Sequence, residues 1–229
     1  MFPLLVYSHL FWAALIFMCF YAIYRKYQEK EVEMLKNFYL FFLTWSIPFF
    51  GLMATGLGVG YYLGNNMIMS LAYVIPHIFA FTAVGYLWKV QSSINFPRFQ
   101  NLFWVFVAYG VFIGIYGILN MPEVAIAASG GFDYGESGLS MLIPAGMAIS
   151  ALFIAGSSFY SAYITEGETR KKLSLIGLGT VLCLVVASIL NNMGYMIAGE
   201  ITNLVWISIF VSVAYWNKIQ AKYESLIGD

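Results

Sequence analysis

The stretch that decides the fold is residues 37–63, NFYLFFLTWSIPFFGLMATGLGVGYYL. It decides the fold because it contains no charged side chain. An α-helix needs about 20 predominantly apolar residues to cross the hydrocarbon core of a bilayer. This stretch meets that requirement and therefore predicts a transmembrane helix. Comparable apolar runs predict six more, at about 3–24, 67–90, 101–121, 139–164, 173–192 and 200–217.

The composition of the whole chain agrees with a membrane protein. Hydrophobic residues make up 61% of it and charged residues only 10%, whereas soluble domains carry about 25% charged residues. We therefore expect an all-α integral membrane protein, and nothing favours nucleic acid as a partner. Cys19 and Cys183 lie inside apolar runs without ligand spacing, so neither a disulfide framework nor a zinc site is expected. The first apolar run follows no basic region of the signal-peptide type and is expected to remain as a helix.

The charges are sorted by side. Loops on one side of the predicted topology contain Glu123, Asp133, Glu136 and Glu200 but no basic residue. All 11 basic residues fall on the other side: Arg25, Lys26, Lys30, Lys36, Lys89, Arg98, Arg170, Lys171, Lys172, Lys218 and Lys222. The positive-inside rule makes that second side cytoplasmic. The sequence thus predicts seven transmembrane helices with the N-terminus outside and the C-terminus inside, in the cytoplasmic (inner) membrane of the cell.

An internal repeat divides the predicted single domain of residues 1–229. Helix 1 ends in FYAIY at 20–24 and helix 5 in FYSAY at 159–163, while helices 3 and 7 end at Trp88 and Trp216, each close to a lysine. This pattern predicts a three-plus-one-plus-three arrangement. The first triplet spans 1–91, the fourth helix and outer loop span 92–138, and the second triplet with the tail spans 139–229. Aromatic residues beside Lys or Arg are common at membrane interfaces, so coincidence stays open as an alternative.

The two histidines of the chain are His9 in helix 1 and His77 in helix 3. Both helices pass through the membrane in the same direction, so the two imidazoles could in principle ligate one haem b iron. A polar-lined cavity or a hydrogen bond to a neighbouring helix is the alternative. His77 is the stronger functional candidate, because it is the titratable side chain predicted nearest the middle of the membrane.

Polar and aromatic residues of helices 2, 3, 6 and 7 form the predicted ligand-binding set. Prolines within the helices remove backbone hydrogen bonds and provide flexible points. Ordinary interhelical hydrogen bonding is the alternative role for the polar members. The predicted ligand-binding residues are Trp45, Tyr73, His77, Asn192 and Trp206, and the predicted flexible points are Pro48, Pro76 and Pro144.

The apolar runs contain essentially no charged residue, which argues against an ion-coupled pump. No catalytic motif occurs, so an enzyme is not expected. The longest outer loop, residues 120–138, mixes acidic, glycine and aromatic residues. It is interpreted as a connector, with a cap over an outward-facing cavity or a cation site as alternatives.

The architecture resembles two known groups over the whole chain. One is the seven-helix sensor region that precedes bacterial histidine kinases and diguanylate cyclases, and the other is the sugar facilitators of the SWEET type. The tail from Trp216 to Leu226, WNKIQAKYESL, is similar to the start of a helix that transmits a signal to an output domain. The resemblance to the sensors implies a cytoplasmic signalling partner, or a second copy of the chain, contacted through this tail.

These features together predict a receptor-like or sensor module that binds a small, apolar or weakly polar ligand between its helices. The expected mechanism is displacement of helices 5 to 7 against helices 1 to 3. A passive facilitator of a small neutral solute is the first alternative. A structural or haem-carrying subunit of a membrane complex is the second.

Overall fold

The computed structural model describes residues 4–126, 132–133, 138–192 and 196–216, which are helical almost throughout. Two two-residue strands, β1 (Ala125–Ile126) and β2 (Phe132–Asp133), pair antiparallel between the fourth and fifth helices. A 3₁₀ turn, Pro97–Leu102, precedes the fourth helix. The helices are α1 (Leu4–Lys30), α2 (Glu33–Leu63), α3 (Asn66–Asn95), α4 (Phe103–Leu119), α5 (Leu139–Ile164), α6 (167–192) and α7 (Met196–Ala214).

Five of these helices, α1 to α5, are long and apolar enough to cross a membrane. Large apolar side chains lie on their outer surfaces, including Tyr62 at 83% and Met141 at 78% exposure. Apolar exposure of this extent suits contact with lipid rather than water. The prediction of a helical, membrane-type protein is therefore confirmed. The apolar part of α7, Ala198–Ala214, is shorter than these five, and the crossing of a membrane by α6 and α7 remains a prediction.

Helices α1, α2, α3 and α6 extend beyond the predicted apolar runs into charged segments. Helix α1 continues to Lys30 and α2 begins at Glu33, so that Arg25, Lys26 and Lys36 lie on helices although they fall outside the predicted runs. Lys89 and the 170–172 cluster are likewise helical. A helix satisfies its backbone hydrogen bonds within its own segment, and for this reason it need not end where the apolar residues end.

The chain divides into two compact units, Met1–Ser150 and Ala151–Asp229. In the first unit, α3 packs against both α2 and α4. Small residues allow this approach: Gly56 faces Ala72, and Gly114 faces Ile78. In the second unit α6 packs against α7, with the ring of Phe210 against Gly179. Close packing over small residues is the usual way in which membrane helices associate.

Two helices contain a π-helical segment, which is rare in proteins and occurs often at functional sites. In α2 this segment is Trp45–Gly51 and includes Pro48, and in α6 it is Leu182–Val186. Pro76 and Pro144, by contrast, lie within α-helical segments of α3 and α5. Among the three prolines predicted as flexible points, Pro48 alone coincides with a departure from α-helical geometry.

Candidate functional site

The candidate site surrounds the π-helical segment of α2. Proline has no backbone N–H, so the hydrogen-bond pattern must change around Pro48. After the segment, the Leu52 N–H bonds to the Ile47 carbonyl, which is five residues earlier and thus one residue further than in an α-helix. The wider turn changes the directions of neighbouring side chains. Five aromatic residues lie in or beside this turn on α2, namely Phe41, Phe42, Trp45, Phe49 and Phe50.

His77 is the central polar residue of the site. Its imidazole is buried, and its Nδ1 lies 2.6 Å from the Tyr73 carbonyl oxygen one turn earlier in α3. A carbonyl oxygen only accepts hydrogen bonds, so Nδ1 carries the proton. In the neutral ring the remaining nitrogen, Nε2, is then an acceptor. The Tyr73 and Phe49 rings stand edge-on to the imidazole, with centroid separations of 4.8 and 5.6 Å.

His9 lies at the other end of the same aromatic group. Its imidazole meets the Phe50 ring at 5.3 Å, and Phe50 meets Phe49 at 4.8 Å. Two phenylalanine rings therefore join the two imidazoles. Ligation of one haem iron by His9 and His77 remains a prediction. Within the described residues, no group of three or more His, Cys, Asp or Glu side chains is placed to hold a metal ion.

Trp45 belongs to the same cluster. Its ring contacts Phe49 at 5.2 Å and Phe41 at 5.7 Å, and the side chain is buried. Three residues of the predicted set, Trp45, Tyr73 and His77, thus belong to one aromatic group. We call this group the π-turn cluster: His9, Trp45, Phe49, Phe50, Tyr73 and His77.

Trp206 lies on α7 in the second unit. Its indole Nε1–H donates to Asn203 Oδ1 at 2.9 Å, and its ring lies 5.8 Å from that of Phe210. Both members of this hydrogen-bonded pair are buried. Asn192 ends α6, but its side chain lies outside the described residues. A single cavity between helices 2, 3, 6 and 7 therefore remains a prediction.

The second unit also contains a shallow apolar groove of about 440 Å³ between α6 and α7. Its only polar lining groups are serine hydroxyls, and that of Ser208 donates to the Leu204 carbonyl of its own helix. Such a surface suits hydrocarbon and offers no fixed polar recognition. The residues that line it are Leu175, Leu204, Val205, Ser208, Ile209 and Ser212.

Phe49 and Phe50 are the members of the π-turn cluster that the sequence did not single out. Both directly follow Pro48, and a change of backbone pattern at a proline is the feature that could have drawn attention to them. The cluster offers aromatic faces and an imidazole acceptor.

No protein-family model matches the chain, and neither a curated protein nor a solved structure shows significant similarity to it. The interpretation of the π-turn cluster therefore depends on its own geometry.

Proposed function

We propose that this chain is a receptor-like or sensor module of a cell membrane, which binds a small and largely apolar ligand at the π-turn cluster. The proposal rests on one observation. The Nδ1–H of His77 is engaged by the Tyr73 carbonyl, which leaves Nε2 as an acceptor among aromatic rings. A ligand that fits these groups has an apolar or aromatic body and one hydroxyl or N–H donor. Pockets that are mostly apolar with a few fixed polar groups are typical of small-molecule binding.

The proposed topology has seven transmembrane helices with the N-terminus outside. The location of all 11 basic residues on one side of the predicted topology supports the orientation. Helix α6 continues through its π segment to Asn192, and α7 follows it after a short connection. Together with the five long apolar helices, α6 and α7 would complete the seven spans.

Two structural features support the proposed tandem triplets. The second helix of each triplet contains a π segment, at Trp45–Gly51 in α2 and at Leu182–Val186 in α6. In addition, the Phe20 ring contacts the Tyr39 ring, and the Phe159 ring packs against Gly177. An offset of 139 residues places Phe20 onto Phe159 and position 38, next to Tyr39, onto Gly177. Both triplets therefore have a contact between their first and second helices in the same region, displaced by one residue at this offset.

The π segment provides a mechanism for the proposed sensor. A π turn and an α turn differ by one residue in hydrogen-bond register, so converting one into the other rotates the rest of the helix. Phe49 and Phe50 lie within this segment and contact the two histidines. A ligand that displaces these rings would therefore bias α2 between two registers, and a population shift of this kind is how a bound ligand becomes a signal.

The first test compares co-purifying small molecules. Wild-type protein and His77→Ala would be purified in mild detergent, denatured, extracted and analysed by mass spectrometry. We expect a compound present in the wild type to be lost in His77→Ala and partly retained in His77→Gln, whose amide oxygen can replace the Nε2 acceptor. Tyr62→Phe, at an exposed position, serves as the matched control. Equal recovery from wild type and His77→Ala would contradict the proposal.

The passive facilitator remains the alternative, and liposomes distinguish the two functions. Protein reconstituted alone should not carry neutral solutes such as glycerol or glucose across the membrane if it is a sensor. Flux that depends on the protein would favour the facilitator. A Soret band in the purified protein would favour the haem-carrying subunit, and stable co-purifying protein subunits would favour a structural role.

The orientation can be tested by labelling single cysteines from outside the cell. We expect a membrane-impermeant maleimide to modify Asn65→Cys in intact cells, but Glu168→Cys only after permeabilisation. Both residues are exposed. The reverse pattern of labelling would invert the proposed topology.

A further inference from the structure

A second polar site lies within the first unit, away from the π-turn cluster. Gln91 of α3 is fully buried, and neither its Nε2 nor its Oε1 has a hydrogen-bond partner in the part of the chain that the structure describes. Asn37 of α2 is 2% exposed, and its Nδ2 likewise has no partner there. Buried polar groups without a hydrogen bond are strongly unfavourable and therefore need an explanation.

The two amides lie at the same level of the antiparallel pair α2 and α3. The Phe49–His77 contact sets the register of this pair. Gln91 is 14 residues beyond His77, about 21 Å along the helix, and Asn37 is 12 residues before Phe49, about 18 Å in the same direction. Asn37 and Gln91 therefore both lie toward the end of the helix pair that is opposite the turn at Gly64.

The two amides also lie on facing stripes. On α2, contacts between Phe41, Trp45 and Phe49 at intervals of four residues define a stripe that continues back to Asn37. On α3, 14 residues correspond to nearly four helical turns, so Gln91 lies close to the face of His77. Since Phe49 and His77 are in contact, these stripes face each other.

The chemistry of the surrounding residues restricts what could occupy this position. Helix α1 brings the buried Lys26 to the same end, where Tyr27 contacts Tyr39 of α2. The acidic residues at this end, Glu29, Glu31 and Glu33, are exposed. The positive charge of the buried Lys26 disfavours a cation at this end. The primary amides present at least two donors and one acceptor, which complement a molecule that both accepts and donates hydrogen bonds.

We infer that the buried amides of Asn37 and Gln91 form a binding site for a small neutral molecule that donates and accepts hydrogen bonds. Water is the smallest such molecule, and small amides such as urea or acetamide share its chemistry. Buried waters of this kind typically make about three hydrogen bonds to otherwise unsatisfied groups. The site is separate from the π-turn cluster and does not depend on the function proposed for it.

The first experiment is thermal unfolding of Gln91→Met, a substitution that preserves side-chain length and removes the amide. If a bound molecule satisfies the amide, its loss should lower the melting temperature by about 2–6 °C. If the amide has no partner, its removal should raise the melting temperature, and this result would overturn the inference. Gln28→Met makes the same chemical change at an exposed position of α1 and should leave the melting temperature unchanged.

The second experiment distinguishes the sources of the bound molecule. A small amide as occupant predicts that millimolar urea or acetamide raises the melting temperature of the wild type but not that of Gln91→Met. If water is the occupant, neither urea nor acetamide should change the melting temperature. Radiolytic hydroxyl labelling should then modify the buried neighbours Phe38 and Leu87 in the wild type and modify them less in Gln91→Met. An amide effect equal in both proteins, or the lack of both effects, would refute a site at Gln91.

Discussion

Gly56→Ala should destabilise the protein, because Gly56 is the point of close approach between α2 and α3. A Cβ placed on Gly56 would overlap the Ala72 Cβ and come within 3.4 Å of its Cα. Carbon atoms prefer separations of about 3.5–4.0 Å. Ala72 has no side-chain freedom with which to move away, so the two helices must separate. Overpacking of this kind costs about 1–3 kcal/mol, against up to about 1 kcal/mol gained from the better helix propensity of alanine.

The net expectation is a loss of about 1–2 kcal/mol, which corresponds to a fall of about 2–8 °C in melting temperature. Tryptophan fluorescence during thermal unfolding in detergent would measure it. Ala72→Gly removes the obstructing Cβ, so the exchanged pair Gly56→Ala with Ala72→Gly should recover most of the loss. Gly156→Ala is the matched control, since a Cβ at Gly156 meets nothing within 4 Å. If Gly56→Ala were as stable as wild type, or if Gly156→Ala were equally destabilising, the reasoning would be refuted.

Two further substitutions test single interactions by the same unfolding assay. Trp206→Phe removes the indole donor from the buried Asn203 Oδ1 and should cost about 1–3 kcal/mol, whereas Trp104→Phe, at a position 65% exposed, should change little. Gly64→Ala should cost about 1–2 kcal/mol, because Gly64 ends α2 in the left-handed region with φ +61°. Gly64→Asn should cost less, since asparagine tolerates that conformation.

Equal stability of Trp206→Phe and Trp104→Phe would mean that the Asn203 hydrogen bond contributes nothing measurable. Equal losses in Gly64→Ala and Gly64→Asn would show that the left-handed backbone is not the cause of the effect. These outcomes concern packing and backbone conformation, and they are independent of any ligand.

The positions of the first five helices could be predicted from the sequence because hydropathy responds to local composition. The run at 37–63 lies within α2, and the run at 139–164 coincides with α5. The helix ends were less predictable. Charged residues such as Lys26 and Lys36 indicate where lipid ends, but the backbone hydrogen bonds of α1 and α2 continue beyond that boundary.

The π-turn cluster was predictable in part. The residue types and their location near Pro48 and Pro76 indicated Trp45, Tyr73 and His77, but nothing local indicated that Phe49 and Phe50 would link His77 to His9. That link depends on how three helices pack around one π turn. The π segment of α6 contains no proline, and no feature of its sequence predicted π-helical geometry there.

Local composition and tertiary packing therefore determined different features of this protein. Local composition determined by itself that long apolar helices form, since each helix satisfies its own backbone and needs only lipid around it. The tertiary structure alone decided which side chains meet, because contacts such as Phe49 with His77 and His9 with Phe50 depend on the register between helices. That register is set by close approaches such as Gly56 with Ala72 and by the turn at Gly64, which act between helices and not within one.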